Sequence, residues 1–234
     1  MATIALALQA VKERIAACAV AARRAPQDIR IVAVSKGVPP SKIEEAYLAG
    51  QISFGENHAQ EGLEKIRALR NLPLEWHFVG PIQSNKTRAI AEHFSWVHSI
   101  DRGKIAERLS LARRNENTPL QVCIQVNISG EASKSGVTPD QLPPLARYLR
   151  TLPRLQLRGL MTIPQATADL KLQRSQFRRL RELKDALASE GIFLDTLSMG
   201  MSQDLEAAIL EGATMVRVGT AIFGSRKSGK NLAQ

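Results

Sequence analysis

Short apolar runs alternate with longer amphipathic segments along the whole chain. The runs are rich in β-branched residues, which favour strands, and the segments between them carry apolar residues at helical spacing. We predict eight strands, at residues 31–35, 51–54, 75–79, 95–99, 120–127, 157–162, 196–199 and 214–218. The connections are too long for hairpins, so the strands are expected to pair in parallel with right-handed crossovers. The pattern predicts the α/β class and a single (β/α)₈ TIM barrel.

An amphipathic segment precedes the first strand. Its apolar residues recur at alternating steps of four and three, which places them on one helical face: Ile4, Leu8, Val11, Ile15 and Cys18. The charged residues 12–14 interrupt this stretch, so it fits neither a signal peptide nor a membrane-spanning helix. We predict an extra N-terminal helix that covers the outer ring beside strand eight, a barrel domain over residues 1–226, and a short basic tail at 227–234.

Composition favours one compact globular domain. Of the 234 residues, 44% are apolar and 23% are charged, which is ordinary globular usage. The net charge of +10 would suit an anionic partner, but the basic residues are dispersed and aromatic residues make up only 4%. The densest basic groups, residues 113–114 and 178–181, fall in helical segments, where a solvated face explains them. We expect no specific nucleic-acid partner and no membrane partner.

Cysteine usage indicates a reducing compartment. Cys18 and Cys123 are far apart, lie in apolar surroundings and form no C-x-x-C pair. They are expected to act as small buried hydrophobic residues. With no recognisable export signal, we expect a cytoplasmic protein, and we expect it to be a monomer.

Lys36 is the first candidate for a functional residue, because it directly follows the apolar run at residues 31–35. Barrels of this type carry their sites at the carboxyl ends of the strands, where a loop begins. An amine held there and partly desolvated can lose its proton near neutral pH and attack a carbonyl. The alternative interpretation is a solvated lysine whose stem lies along the strand end.

The loops after strands seven and eight have the character of a phosphate site. Gly200 and Gly219 let the backbone approach a ligand closely, while Ser202 and Thr220 offer hydroxyl donors. Barrels commonly bind phosphate with these two loops. The alternative interpretation of each glycine is a simple turn.

Arg217 lies in the apolar eighth strand, where it is either one half of a buried salt bridge or a ligand contact. A guanidinium can donate to a heterocyclic nitrogen and keep that nitrogen unprotonated. A carbonyl-reactive lysine, a phosphate site and a cation for a ring nitrogen together describe pyridoxal 5′-phosphate (PLP) bound as a Schiff base. An unprotonated pyridine is a weak electron sink, so the cofactor would be poorly primed for carbanion chemistry.

Nine sequence blocks resemble the pyridoxal phosphate homeostasis protein family, and the resemblance runs from about residue 5 to residue 226. The blocks are VAVSK at 32–36, FGEN at 54–57, WHFVGPIQSNK at 76–86, HSID at 98–101, QVNIS at 125–129, SKSG at 133–136, RGLM at 158–161, LSMGMS at 197–202 and VRVGTAIFG at 216–224. One departure is the Gly-Val-Pro at 37–39, where the family more often has a threonine and a bulkier or basic residue.

The resemblance implies a single barrel similar to the N-terminal domain of alanine racemase. It implies a covalent PLP-binding role in PLP and amino-acid homeostasis without an established catalytic reaction, with apo forms of PLP-dependent enzymes as candidate partners. The implied residue roles are the Schiff-base lysine at Lys36, the ring-nitrogen contact at Arg217, the phosphate contacts at Ser202, Gly219 and Thr220, and a position beside the ring for Asn57.

A PLP-dependent racemase is the main alternative. Proton transfer on both faces of a substrate needs a second base opposite the lysine. Racemases similar to this fold recruit a tyrosine from a further domain of a partner subunit, whereas Tyr47 and Tyr148 fall here in predicted helices. We therefore favour a carrier over a racemase, and we leave open slow side reactions of the PLP aldimine.

Two further interpretations concern histidine and a loop lysine. A metal-dependent hydrolase would need clustered ligands, and the four histidines form no H-x-H or H-E-x-x-H pattern, so we expect no metal. His77 alone is a candidate for the cofactor's surroundings. Lys134, in the polar loop after strand five, is a candidate for cofactor exchange.

Overall fold

Eight parallel strands pair in chain order and close into a barrel in the computed structural model, which describes residues 3–131 and 134–224. The strands are β1 (Arg30–Val34), β2 (Ser53–Glu56), β3 (Glu75–Phe78), β4 (Trp96–Ile100), β5 (Leu120–Gln125), β6 (Leu155–Met161), β7 (Thr196–Ser198) and β8 (Met215–Val218). Pairing of β1 with β8, in the register Val32 to Arg217, completes the closure. The predicted barrel is confirmed, and the predicted strand ends agree with those observed to within two residues.

Nine helices surround these strands in the described part of the chain. They are α1 (Ile4–Ala21), α2 (Pro40–Leu48), α3 (Ala59–Ala68), α4 (Thr87–His93), α5 (Gly103–Ala112), α6 (Leu142–Thr151), α7 (Leu170–Ser189), α8 (Leu205–Leu210) and α9 (Thr220–Phe223). Helix α9 has only four residues and cannot cover the barrel after β8. Helix α1 packs against α8, α9 and α2 and fills this position, as predicted.

The buried face of α1 differs from the prediction at one residue. Ile4, Leu8, Val11 and Ile15 are buried as expected, but the stripe continues at Ala19, which is fully buried. Cys18 is half-buried, so its assignment as a buried residue was wrong. The reason is the helical period of 3.6 residues, which brings the position four residues after Ile15 back to the barrel.

The apolar core has two parts, one between the strands and the helices and one inside the barrel. The interior part is small and consists of Val32, Trp96, Cys123, Met161 and Met215. Burial raises the pKa of the Cys123 thiol to about 12, so this cysteine behaves as a hydrophobic residue, as predicted. The small size of this cluster leaves interior space for polar side chains.

The basic group on α7 was predicted to form a solvated face, and this interpretation was wrong in part. Arg174, Arg178 and Arg181 converge on the carboxylate of Glu211, which is 1% exposed, at distances of 2.8 to 3.2 Å. Arg179 donates to the carbonyl oxygen of Ile128 at 3.0 Å. These arginines join α7 to the residues preceding β8 and to the loop after β5.

Two further expectations concern the basic tail and membrane-spanning segments. The predicted basic tail at residues 227–234 lies outside the described residues. None of the described helices combines the length and apolar character that crossing a bilayer requires.

Candidate functional site

A cavity of about 420 Å³ opens at the carboxyl ends of the strands. All six residues predicted for the site line it: Lys36, Asn57, Ser202, Arg217, Gly219 and Thr220. The rest of the wall is largely apolar, with Val34, Val79, Ile163, Pro164, Ala166 and Met201, and also contains Thr167, Gln173, Gln203 and Asp204. A mostly apolar cavity of this size with a few converging polar groups is typical of a small-molecule or cofactor site.

Lys36 lies two residues beyond the end of β1 and is half-buried. The residues on both sides of it are fixed by hydrogen bonds. The Ser35 amide donates to the Gly55 carbonyl oxygen at 2.9 Å, and the Gly37 amide donates to Oε1 of Glu61. Gly37 has a φ of 71°, which glycine adopts without strain. The backbone therefore holds Lys36 in place at the cavity wall.

Lys65, Glu56 and Glu61 form a buried charged cluster beneath Lys36. The sequence did not predict this cluster. Nζ of Lys65 lies 2.6 Å from the Ser35 carbonyl oxygen and 2.8 Å from Oε1 of Glu56, and it also bonds Glu61. Burial raises the pKa of Glu56, and hydrogen bonds from Lys65 and Ser35 oppose that shift. Glu61 and Lys65 are four residues apart on α3, a spacing that in sequence resembles an ordinary exposed helix pair. Only the tertiary structure shows that Lys65 is buried.

Arg217 is 4% exposed and projects from β8 into the barrel interior. Its NH1 donates to the carbonyl oxygen and to Oγ of Ser198, both at 2.7 Å, and its NH2 donates to the Thr162 carbonyl oxygen at 2.8 Å. The described residues supply no carboxylate hydrogen bond to it, which argues against the buried salt bridge. Burial lowers the pKa of Arg217 to about 10, so the guanidinium stays charged at neutral pH.

Ser202, Gly219 and Thr220 lie together at one side of the cavity. Oγ1 of Thr220 donates to Oγ of Ser202 at 3.2 Å, and the Ala221 amide also points to that oxygen, at 3.4 Å. A Cβ added to Gly219 would lie 3.1 Å from the Val34 carbonyl oxygen, so a side chain there would crowd β1. The two loops thus bring hydroxyl groups and a bare backbone segment together.

The loop after β7 is anchored to β8 and contributes a carboxyl group that the sequence did not single out. Gly200 has a φ of 94°, and its carbonyl oxygen accepts a hydrogen bond from the Arg217 amide at 2.9 Å. Asp204 lines the cavity and accepts a hydrogen bond from the Met201 amide. Burial raises the pKa of Asp204, although the hydrogen bond from the Met201 amide and the charge of Arg217 oppose this shift.

Asn57 follows β2 at the cavity wall, and its Oδ1 is buried with no hydrogen-bond partner among the described residues. A buried acceptor without a donor is unfavourable, so a ligand that supplies a donor would satisfy it. Gly80 supports this residue closely, since a Cβ there would lie 2.1 Å from the Asn57 carbonyl oxygen. Asn57 therefore fits its predicted place beside a ligand.

Several other residues singled out in the sequence lie away from the cavity. His77, the candidate for the cofactor's surroundings, is fully buried inside the barrel, where it bonds Glu75 and His98, and it does not line the cavity. Tyr47 and Tyr148 lie in α2 and α6, and among the described residues that line the cavity there is no tyrosine. Lys134 follows β5 and is not part of the wall.

Within residues 3–131 and 134–224, no group of three or more His, Cys, Asp or Glu side chains is arranged to hold a metal ion.

Comparison with solved structures supports the fold. PipY of Synechococcus elongatus, solved with PLP bound, superposes with a TM-score of 0.83 at 37% identity, over 94% of this chain and 100% of that one. Alanine racemase of Corynebacterium glutamicum gives a TM-score of 0.74 at 16% identity, over 98% of this chain and 63% of that one. At this identity the second likeness concerns the fold alone.

Comparison of sequences assigns the family. The family model for the N-terminal domain of alanine racemase matches residues 6–227. The pyridoxal phosphate homeostasis protein of Pseudomonas aeruginosa is 57% identical over 229 residues, which is 98% of each chain. That of Escherichia coli is 50% identical over 226 residues, covering 95% of this chain and 97% of the relative. The chain belongs to the alanine racemase N-terminal domain family and, within it, to the pyridoxal phosphate homeostasis proteins.

Proposed function

We propose that this chain binds PLP in the 420 Å³ cavity, as a Schiff base on Nζ of Lys36, and serves PLP and amino-acid homeostasis without catalytic turnover of its own. The observation that carries the proposal is the convergence of Lys36 and Arg217 on one cavity with the two hydroxyl-bearing loops. The relative PipY, solved with PLP bound, supports it.

The residues of the wall fit the parts of this cofactor. Lys36 supplies an amine on a fixed backbone, Ser202 and Thr220 supply hydroxyl donors for the phosphate, and Asn57 has an acceptor that lacks a donor. Bound PLP supplies a reactive aldehyde carbon and an electron-accepting pyridine ring. The mostly apolar wall offers nonpolar surface against which that ring can pack.

Arg217 argues for a carrier rather than an enzyme. Of its five N–H donors, three are taken by Ser198 and Thr162, and the other two have no partner among the described residues. A guanidinium that donates to the ring nitrogen does not protonate it, and the ring then withdraws electrons weakly. The racemase alternative also needs a second base, and the described wall contains no tyrosine.

Several finer features belong to the same proposal. We infer that residues 1–226 form the PLP-binding domain, that the protein is a monomer, and that apo forms of PLP-dependent enzymes receive the cofactor. Ile163 and Met201 are 37% and 38% exposed at the cavity and leave its mouth accessible. A cytoplasmic location is supported by the two cysteines, which are both free.

Borohydride reduction and peptide mass mapping test the proposal. PLP-treated protein is expected to show a visible absorption band and, after reduction, a PLP-modified peptide containing Lys36. Lys36→Ala should lose both signals. Lys42→Ala, which removes an exposed lysine of α2, should keep them. Modification at another lysine in the wild-type protein, or no band at all, would reject the assignment.

A further inference from the structure

We propose that Glu75, His77, His98 and Ser198 form a hydrogen-bonded relay through the barrel interior and act as positioning residues for Arg217. The proposal rests on the proposed function, because Arg217 is the residue assigned to the cofactor ring. It adds four residues that do not line the cavity and therefore act only through Arg217.

The relay is continuous from the cavity to the amino-terminal end of the barrel. Oγ of Ser198 lies 2.7 Å from NH1 of Arg217 and 2.7 Å from Nδ1 of His98. Nε2 of His98 lies 2.9 Å from Nδ1 of His77. Nε2 of His77 in turn lies 2.9 Å from Oε2 of Glu75. The members come from β8, β7, β4 and β3, and the two histidines and the serine are fully buried.

The chemistry of the two ends fixes the direction of every bond. A guanidinium only donates and an ionised carboxylate only accepts. Ser198 therefore accepts from Arg217 and donates its own proton to Nδ1 of His98. His98 then donates from Nε2 to His77, and His77 donates from Nε2 to Glu75. All four bonds run the same way, with each imidazole neutral and protonated on Nε2.

The charge states required by this arrangement agree with the surroundings. Burial lowers the pKa of His77, and it lowers that of His98 well below the ordinary value, so both rings are neutral at neutral pH. Burial alone would raise the pKa of Glu75, but the hydrogen bonds from His77 and Ser53 and the charge of Arg30 outweigh burial and lower it. The relay thus ends on an ionised carboxylate.

The far end of the relay is itself held in place. Glu75 accepts hydrogen bonds from Arg30 and from Ser53, both at 2.9 Å, and from Nε1 of Trp96 at 3.2 Å. The His77 ring stacks on Trp96 with the ring centroids 5.5 Å apart. Because both ends are fixed, the hydroxyl of Ser198 has one orientation, and it leaves a lone pair for Arg217. The Ser198 hydroxyl thus holds the guanidinium of a cavity-lining residue, together with the carbonyl oxygens of Ser198 and Thr162.

Histidine tautomers in the protein without cofactor test the relay independently of PLP. In ¹⁵N-histidine NMR spectra at neutral pH, His77 and His98 should both be neutral Nε2–H tautomers, with His58→Gln and His93→Gln identifying the two exposed histidines and His98→Gln separating His98 from His77. Ser198→Ala removes the donor to Nδ1 of His98 but leaves the Glu75 end intact, so His98 should stay an Nε2–H tautomer while its Nδ1 resonance moves downfield, as for a ring nitrogen that accepts no hydrogen bond. A cationic ring, or an Nδ1–H tautomer at His98 in the wild-type protein, would overturn the relay.

PLP affinity, measured by absorbance titration, tests its effect on Arg217. Ser198→Ala should bind PLP about tenfold more weakly, since a charge-assisted hydrogen bond to Arg217 is lost. Ser110→Ala removes a buried hydroxyl on α5 outside the barrel interior and should leave the affinity unchanged. Ser198→Thr, which restores the hydroxyl, should recover most of it, and thermal melting checks that each variant is folded.

The outcomes separate the relay from the proposed function. If wild-type protein attaches PLP at Lys36 but Ser198→Ala binds it as tightly as wild type, the relay proposal is wrong and the proposed function stands. If wild-type protein does not attach PLP while the two histidines show the expected tautomers, the relay is present but its role toward the cofactor is rejected.

Discussion

At the scale of single residues, Lys36 is positioned mainly through its neighbours. Its place at the end of an apolar run was readable from the sequence because strand and loop differ in composition. The contacts of Lys65 that hold the backbone next to Lys36 could not be predicted from the sequence. Lys65 bonds the Ser35 carbonyl oxygen 30 residues away and Glu56 nine residues away. A local pattern cannot show which charged helix residue turns inward to such partners.

Replacement of Lys65 tests this support. Lys65→Met leaves the carboxylate of Glu56, which is 0% exposed, without its cation, so the free energy of unfolding should fall by about 3 kcal/mol. Urea denaturation measures the loss. Lys42→Met, at an exposed position of α2, should change stability by less than about 0.5 kcal/mol.

A double variant identifies the cause. Lys65→Met combined with Glu56→Gln should regain part of the lost stability, because the amide removes the unpaired buried charge. A single Lys65→Met variant as stable as Lys42→Met would show that the cluster does not support the loop.

The buried histidines make a prediction about pH at the same scale. His77 and His98 are held neutral in the folded protein, whereas in the unfolded chain they take up protons below about pH 6.5. The unfolded state then binds more protons, so the free energy of unfolding should fall as the pH drops from 6.5 to 5, by up to about 1.4 kcal/mol per pH unit for each histidine. Glu75, whose pKa is lowered in the folded protein by its hydrogen bonds and by the charge of Arg30, contributes at still lower pH and in the same direction.

Urea midpoints at pH 7 and pH 5 measure this effect. His98→Gln should show a smaller decrease than the wild-type protein. His58→Gln, which removes an exposed histidine, should retain the full decrease. A free energy of unfolding that stays constant over this range would contradict the neutral relay.

At the scale of elements, the strands and α1 were predictable because burial imposes a period on the sequence. The strands that line the barrel are short apolar runs, and the apolar stripe of α1 repeats close to the helical period. The shift from Cys18 to Ala19 at the end of that stripe shows the precision of such a pattern, which is about one residue. Helix α1 covers the part of the barrel that the four-residue helix α9 is too short to cover. The buried face of α1 should therefore contribute directly to the stability of the barrel.

Two leucines of α1 allow a matched test of its contribution. Leu8 is 1% exposed and Leu6 is 63% exposed on the same helix. Leu8→Ala should lower the free energy of unfolding by roughly 2–4 kcal/mol, because it loses buried surface and leaves a cavity. Leu6→Ala should change it by less than about 0.5 kcal/mol. Equal effects in thermal or urea denaturation would mean that α1 does not cover the barrel as described.

At the scale of the whole molecule, parallel closure brings residues from β1, β2, β7 and β8 to one cavity although they are up to 184 positions apart, from Lys36 to Thr220. The sequence was sufficient to predict that these residues meet, because the carboxyl ends of all strands lie at one end of the barrel. The sequence was not sufficient to predict the relay of Glu75, His77, His98 and Ser198. The bond between His98 and Ser198 spans 100 residues, and the side chains meet across the barrel interior, whose geometry depends on strand stagger.

A crystal structure of the protein grown with PLP tests the central claim most directly. The account predicts continuous electron density from Nζ of Lys36 into the cavity, the phosphate at Ser202, Gly219 and Thr220, and Arg217 within hydrogen-bonding distance of the ring nitrogen. Density for PLP on another lysine, or a Lys36 side chain turned out of the cavity that contains Arg217, would contradict it.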